Sequence, residues 1–427
     1  MGWKSLCIGL WLLVASVFMG TRFCSGNGFA LYQGSARGNA LEGAMVARAD
    51  DPSALFYNPA GITQLPGLQV EAGATFIMPS VDIVTNARGS TTRTSIEDHV
   101  WTAPNAYASY QCLEALWVGF GLFPQFGLGT EFPENWPGRY NGYKGEVQSL
   151  TFNPNLAMKL GEHVSFAVGL DVVWLDLLLK QKIDASKQNN PNITTFDVDQ
   201  SLQGGSYGYG YNLALHITPA DWLALGISYR SQVNQDISGD ARFIKPAVLA
   251  GLNLFNNTTV SGTIKLPDEL FLGVMVKPVD RLSVEVGAIL TRWHTFDALT
   301  IDFDSDPFLG SGRSITVTSR RDWHDSWRFM LGVEYKAMDL LDLRVSYLYD
   351  QTPDRAELFN YLTPINDLQA FSLGPGIHWK GFTLDLAYTY VMGFNRDIAE
   401  RLQDGVLQSG LRNLREHLVS IDLAYKF

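Results

Sequence analysis

The fold of this chain is decided by the stretch YGYGYNLALHI, residues 207–217. Every second residue is large and apolar, and the residues between them are small or polar. This period of two is typical of a β-strand whose two faces meet different surroundings. The run is longer than the roughly five or six residues of an ordinary strand. It favours a membrane-spanning strand over the alternative interpretation, a strand of a soluble β-sandwich.

The same alternation recurs along most of the chain. Residues 282–291 and 343–349 repeat it, with Glu285 and Arg344 in mid-strand on the face opposite the apolar one. A charged side chain there requires that the second face meets water or other polar groups. An apolar outer face and a polar inner face are the pattern of a transmembrane β-barrel.

The connections between these strands alternate in length. Short turns are predicted near residues 111–114, 161–163, 218–221, 278–281, 337–340 and 379–381. Long connections are predicted near residues 81–97, 127–145, 183–198, 240–257, 300–322, 352–366 and 393–412. Thirteen connections link about fourteen antiparallel strands, with short periplasmic turns, long extracellular loops and both chain ends on the periplasmic side. The sheet must close, because an open edge in lipid leaves backbone groups unpaired.

The two ends of the sequence carry separate signals. Residues 1–26 read as an export signal, with Lys4, an apolar run and small residues at Cys24 and Gly26, so the mature chain is predicted to begin at Asn27. The final alternating strand ends in Phe427 and resembles the signal that outer-membrane barrels present to the barrel assembly machinery.

Composition excludes several other classes. The net charge of −11 argues against nucleic acid as a partner. Two of the three cysteines lie in the predicted signal, which leaves Cys112 and no cysteine framework for a disulfide or a metal. No histidine occurs in a metal-binding spacing, and no cofactor is implied.

Residues 27–61 are rich in glycine, alanine and serine, as a segment folded inside a narrow space requires. Three motifs in it, Asn27-Gly28-Phe29, Ala49-Asp50-Asp51 and Asn58-Pro59-Ala60-Gly61, resemble the N-terminal plug of the FadL family. These are outer-membrane transporters of long-chain fatty acids and other hydrophobic compounds. The resemblance implies a plug over residues 27–66 and a barrel over residues 67–427. It also implies ligand-binding or gating roles for Phe29, Asn58, Pro59 and Ala60.

A second matching stretch covers residues 119–174. Its motifs are Pro124-Gln125-Phe126-Gly127 and, in a loop, Trp136, Gly138, Arg139 and Tyr140. A proline with flanking glycines marks either a bulge or the end of a strand before a loop. The resemblance implies that residues 124–127 border a lateral opening in the barrel wall.

The expected function is passive uptake of hydrophobic small molecules, most of all long-chain fatty acids, by plug rearrangement and lateral diffusion. The expected setting is the outer membrane of a Gram-negative bacterium, where a monomer contacts lipid and lipopolysaccharide. Uncharged aromatic hydrocarbons are an alternative ligand, because Asp176 would repel a carboxylate if it faced the ligand. The basic residues that could bind a carboxylate instead are Arg139, Lys180, Arg230 and Arg344.

Two other classes remain as alternatives. A general porin would differ in having an unsealed lumen. An outer-membrane lipid-acting enzyme is favoured only by residues 204–208, which fit G-x-S-x-G but begin a strand instead of the sharp turn that this motif needs. Arg320 and Arg321, beside Asp322, are interpreted as a solvated loop cluster.

Overall fold

The computed structural model describes residues 28–87, 89–186, 192 and 194–427. The predicted export signal and the mature start at Asn27 lie outside the described residues. Two short helices, α1 (Ala36–Ala40) and α2 (Ala54–Tyr57), and a 3-10 helix (Pro59–Gln64) precede the first strand. No helix in these ranges is long and apolar enough to cross a membrane.

The rest of the described chain is almost entirely β-structure. Its strands are β1 (Leu68–Ala87), β2 (Ser90–Ser95), β3 (Trp101–Leu113), β4 (Leu116–Phe123), β5 (Gly127–Glu131), β6 (Lys144–Lys159), β7 (Val164–Asp184), β8 (Asp197–Ala220), β9 (Leu223–Arg230), β10 (Val233–Ile244), β11 (Thr258–Leu266), β12 (Glu269–Val279), β13 (Leu282–Thr291), β14 (Ala298–Phe303), β15 (Ile315–Arg320), β16 (Ser326–Met338), β17 (Leu341–Asp350), β18 (Leu368–Trp379), β19 (Phe382–Gly393), β20 (Arg396–Ile398) and β21 (Gln408–Lys426). Further single 3-10 turns lie in the connections, at Ala247–Leu249, Trp293–Thr295, Ala356–Leu358 and Leu402–Asp404.

These segments form one closed antiparallel barrel of 14 strands, as predicted. The first strand, β1, pairs with the last, β21, from Gln69↔Lys426 to Asn86↔Gln408. Several barrel strands consist of two consecutive segments: the third is β4 and β5, the seventh β9 and β10, the eighth β11 and β12, the ninth β13 and β14, and the tenth β15 and β16. The hairpin of β1 and β2 extends the wall at the loop end.

The six predicted short turns are all present at one end of the barrel. They join β3 to β4, β6 to β7, β8 to β9, β12 to β13, β16 to β17 and β18 to β19. The barrel begins and ends at this end, where the Phe427 backbone N–H donates to the Leu68 carbonyl oxygen over 3.0 Å. The N-terminus, which is predicted to lie on the periplasmic side, is outside the described residues. Gly28 lies inside the barrel against Trp293, because residues 28–67 run back through the lumen.

The alternation predicted from residues 207–217 holds. Tyr209 is 74% exposed on the outer face, whereas Asn212 and His216 are buried on the inner face. The outer face is apolar, as a transmembrane β-barrel requires, and the inner face carries polar groups because it contacts the plug. Most of the buried apolar side chains lie between the plug and the inner wall.

Candidate transport site

The segment with Pro124 connects the wall of the barrel to the plug. The third barrel strand leaves its ladder after Phe123, turns inward, and forms a bridge between Phe126 and Ala30 of the plug. The Leu31 N–H donates to the Gln125 carbonyl oxygen over 2.8 Å, and the Gly127 N–H donates to the Phe29 carbonyl oxygen over 2.8 Å. The plug therefore occupies hydrogen-bonding positions that a neighbouring strand would take in a regular sheet.

This detour leaves a break in the wall, the lateral gap, between residues 101–105 of β3 and residues 124–127. The β3–β4 ladder ends at Ala106↔Leu122, and β5 pairs only with β6 on its other side. The break ends near the loops, where the Glu97 N–H donates to the Glu131 carbonyl oxygen over 2.7 Å. The interpretation of Pro124 as a plain strand end is wrong, since the strand resumes as β5. The role of the lateral gap as an exit stays a prediction.

Phe29 lies in an aromatic cluster directly above this junction. Its ring centroid is 4.6 Å from Trp293, 5.5 Å from Phe296, 5.8 Å from Trp323 and 6.0 Å from Phe126. Trp293 and Phe296 reach the lumen because the ninth strand is interrupted between β13 and β14. The motif at residues 27–29 identifies Phe29, but the sequence around Trp293 and Phe296 contains no pattern that predicts their contact with it.

The other predicted plug residues have a different environment. The Asn58 side chain caps the 3-10 helix by accepting from the Ala60 N–H over 3.2 Å, and it donates to the carbonyl oxygens of Val46 and Leu215. These contacts do not include any member of the Phe29 cluster. Asn58, Pro59 and Ala60 thus fix the plug backbone against the wall, and the structure does not bring them together with Phe29.

Charged side chains attach the plug to the wall. Glu334 of β16 accepts from Arg37 of the plug over 2.9 Å, from Arg48 of the plug over 3.0 Å and from Arg344 of β17 over 2.7 Å. Glu285 of β13 accepts from the backbone N–H groups of Ala47 and Arg48 over 2.9 and 2.8 Å. Of the two mid-strand charges predicted to need polar surroundings, Glu285 is bound by the plug, and Arg344 pairs with Glu334 and Asp385 of the wall.

An almost wholly apolar cavity of about 40 Å³ lies inside the barrel on the loop side of the aromatic cluster. We call it the apolar chamber; the side chains that line it include Leu177, Leu179, Leu202, Ile264, Leu299 and Ile301. Above it, nearer the loops, a further buried cluster includes Val198, Phe243, Phe255 and Phe303. Apolar side chains therefore extend from the loops to Phe29.

Asp176 does not face this chamber. In β7 the inner face is formed by the odd-numbered residues Asp171, Val173 and Leu175, all buried, and Asp176 lies on the opposite face. The concern that Asp176 repels a carboxylate in the lumen is therefore wrong. Successive side chains of a strand point to opposite faces, so a shift of one residue in β7 would have turned Asp176 towards the lumen.

Three of the four basic residues named from the sequence already have acidic partners. Arg139 pairs with Asp197 over 2.7 Å, Arg230 pairs with Asp171 over 2.6 Å, and Arg344 pairs with Glu334 and Asp385. Lys180 lies in β7, opposite Lys144 of β6 and Ser201 of β8.

Arg321 differs from these residues and from its neighbour Arg320. Arg320 is exposed and pairs with Asp322, as predicted for a loop cluster. Arg321 is half-buried, and its side chain has no ion pair or hydrogen bond within the residues that the structure describes. Burial, together with the nearby Arg401, lowers the pKa of Arg321 to about 10. It lies in the same connection as Trp323 of the aromatic cluster and is less exposed than Arg320.

The predicted loop motif stabilises the extracellular end. Trp136 stacks on Phe132 with centroids 4.2 Å apart and meets Tyr361 edge-on at 4.7 Å. Arg139 is fully buried, and its guanidinium lies 4.5 Å from the ring centroid of Tyr140. A side chain on Gly138 would collide with the Trp136 ring. These four residues thus pack connections from separate strands together.

Comparisons with known proteins agree with this architecture. The family model for outer membrane protein transport proteins (OMPP1/FadL/TodX) matches residues 17–427. The long-chain fatty acid transport protein of Escherichia coli O6:H1 is 26% identical over 424 residues, which cover 92% of this chain and 93% of the relative. An outer-membrane protein of Neisseria meningitidis serogroup B is 26% identical over 414 residues, covering 88% and 89% of the two chains.

Solved structures share the fold at low identity. A FadL homologue of Pseudomonas aeruginosa superposes with a TM-score of 0.82 at 18% identity, covering 94% of this chain and 100% of that one. The toluene transporter TodX of Pseudomonas putida superposes with a TM-score of 0.68 at 19% identity, covering 94% and 100%.

The closed barrel and the match of the family model over residues 17–427 identify the chain as an outer-membrane transporter of hydrophobic compounds. The chain belongs to the outer membrane protein transport protein family that includes FadL and TodX. Its location is the outer membrane of a Gram-negative bacterium.

Proposed function

We propose that this protein takes up long-chain fatty acids by passive diffusion through the barrel. The observation that carries the proposal is the apolar lining that extends from the loops, through the apolar chamber, to Phe29. An alkyl chain moving along it leaves water at a gain of about 0.8 kcal/mol per CH₂ group. The name of the Escherichia coli relative supports this substrate class.

In the proposed path, a ligand displaces Phe29 from the aromatic cluster and the plug rearranges. The same movement breaks the bonds of Phe29 and Leu31 to residues 124–127, because both segments share the bridge between Ala30 and Phe126. The ligand then leaves sideways into the outer leaflet through the lateral gap. No catalytic step is part of this function.

Arg321 is the residue we propose for the fatty-acid carboxylate. Two carboxylates whose charges act on Arg321 are already engaged, Asp354 with Arg396 over 2.6 Å and Asp404 with Arg401 over 3.0 Å. An incoming anion binds a partly desolvated guanidinium more strongly when that guanidinium has no carboxylate partner than when it is already paired.

The test is uptake of a radiolabelled long-chain fatty acid by a Gram-negative host that lacks its own transporter. Expression of this chain should restore uptake, and Arg321→Gln should reduce it about tenfold, as expected for the loss of ~1.4 kcal/mol of binding. Arg320→Gln is the matched control, because Arg320 is adjacent and solvent-exposed. Equal uptake by the two variants would refute the role of Arg321, and no restored uptake would refute the function.

Uncharged aromatic hydrocarbons are the second candidate substrate. The favouring observation is that no charged side chain lines the apolar chamber among the residues described. The toluene transporter of Pseudomonas putida shares the fold. Uptake of labelled toluene without uptake of fatty acid would decide for this candidate.

A further inference from the structure

The wall of the barrel has a second break, between the eighth and ninth strands. The β12–β13 ladder ends at Glu269↔Thr291, and the pairing between β11 and β14 resumes only at Ser261↔Asp302. Between these points, residues 262–267 do not pair with residues 293–301 in the sheet of the described chain. We call this break the side window.

The break has a local cause on each strand. Pro267 lacks a backbone N–H and separates β11 from β12, so the eighth strand changes course there. On the ninth strand, Trp293 and Phe296 turn inward to pack on Phe29. The side chains of Trp293 and Phe296 therefore pack in the aromatic cluster and do not contribute to the wall at this point.

Two cavities lie back to back at the side window. The outer cavity has a volume of about 420 Å³, and the side chains along it include Thr263, Lys265, Asp297 and Thr300. The inner cavity is the apolar chamber. The two share Ile237, Ser261, Gly262 and Thr300 in their linings. A single layer of backbone separates them, in which β11 pairs with β10 and β14 pairs with β15 but β11 and β14 pair with each other only at Val260 and Ser261.

The side window faces water and not the lipid hydrocarbon. The outward side chains of β11 are Thr259, Ser261, Thr263 and Lys265, and all four are exposed and polar. Such a row of polar residues lies above the apolar belt that contacts lipid. A compound arriving at this height comes from the medium or the lipopolysaccharide layer.

The charges around the outer cavity favour an uncharged compound. Asp236, Asp297 and Asp302 line it, against the single base Lys265. The Thr263 hydroxyl donates to Asp236 over 2.8 Å, and Thr316 donates to Asp302. With three acidic side chains and one basic side chain in its lining, the cavity carries a net negative formal charge and repels an anionic headgroup.

We propose that the side window is a second access route, through which uncharged hydrophobic compounds reach the apolar chamber without passing the loops and Arg321. The proposal rests on the proposed function, uptake of hydrophobic compounds by this barrel. The chamber is smaller than the roughly 150 Å³ that an engineered benzene-binding cavity provides. Leu177, Ile264 and Leu299 therefore change rotamer when a ligand enters.

The test places a tryptophan in the outer cavity. Thr263→Trp fills it with an indole ring, and Thr259→Trp is the matched control. Thr259 lies on the same face of β11, is equally exposed, and also donates its hydroxyl to an aspartate, but it does not line the cavity. Cells expressing each full-length variant are given labelled toluene or a labelled long-chain fatty acid. Heat-modifiable migration of the outer-membrane fraction verifies folding.

Thr263→Trp should lower toluene uptake several-fold relative to Thr259→Trp and leave fatty-acid uptake unchanged. Equal toluene uptake by the two folded variants would overturn the side window, while uptake by the unmodified protein keeps the proposed function intact. An equal loss of both substrates would overturn its selectivity for uncharged compounds. If the unmodified protein takes up neither compound, the proposed function fails and the side window fails with it.

Discussion

At the scale of single residues, the proposed transport depends on side chains whose roles come from contacts with residues far away in the sequence. Phe29 lies near the start of the described chain, yet its ring contacts come from three separate later connections. Gly226 and Gly273 show the same dependence, because a side chain at either position would collide with the plug backbone near Val46. A small or aromatic residue gains its role only when the barrel closes around the plug.

Phe29→Ala should raise the affinity for hydrophobic ligands, because the ring fills the space that we assign to the ligand. Removing a packed Phe costs about 3–5 kcal/mol of local packing, which an incoming ligand recovers in part. Quenching of Trp293 and Trp323 fluorescence by a titrated fatty acid measures this. Phe120→Ala is the control, since Phe120 is exposed on the outer face. An unchanged affinity for Phe29→Ala would contradict the gating role.

At the scale of elements, interruptions of the strands form the candidate route. The third strand breaks between β4 and β5 to meet the plug, and the ninth breaks between β13 and β14 to supply Trp293 and Phe296. In each case a ladder with a neighbouring strand is lost. At the third strand, Phe29 and Leu31 of the plug replace the lost neighbour as hydrogen-bond partners of Gly127 and Gln125.

Straightening the third strand should reduce transport. Pro124→Val with Gly127→Val restores a backbone donor and favours continuous pairing with β3, which closes the lateral gap. Uptake of labelled fatty acid should fall several-fold in the assembled protein. Pro375→Val, in the paired transmembrane strand β18, is the control. Normal uptake by a correctly folded double variant would exclude the lateral route but not the barrel or the plug.

At the scale of the whole molecule, the plug is held in the lumen by buried charges. Arg37 and Arg48 of the plug share Glu334 with Arg344 of the wall, and Arg344 also pairs with Asp385. Buried charges are tolerated only when they are paired. The network therefore favours one position of the plug, and we expect the lumen to be closed to ions at rest.

Glu334→Gln should loosen the plug and raise the ion conductance of single channels in a planar bilayer. Breaking a buried ion pair lowers the free energy of unfolding by about 3–5 kcal/mol. Glu334 pairs with three guanidinium groups, those of Arg37, Arg48 and Arg344. Deletion of residues 28–60 gives the upper limit of conductance. Glu131→Gln is the control, because Glu131 pairs with Lys144 at the loop end, away from the plug. A large conductance in the unmodified protein would favour the porin interpretation.

The sequence by itself determined the barrel, because a period of two is a local property that needs no knowledge of neighbours. It also determined the strand number and the end at which the short turns lie, since turn length is local too. Sequence motifs identified two candidate functional segments, the one with Phe29 and the one with Pro124, Gln125, Phe126 and Gly127. They did not predict the bridge between Ala30 and Phe126 that joins these segments.

Only the tertiary structure decided which residues meet inside the lumen. The alternation of side chains along β7 placed Asp176 on the outer face. Closure of the barrel gave Arg139, Arg230 and Arg344 acidic partners, whereas Arg321 has none among the described residues. The side window depends on the missing pairing between β11 and β14. The sequence of one strand does not specify how the other strand is placed beside it. Contacts between residues far apart in the chain are fixed by register and closure, which no local pattern specifies.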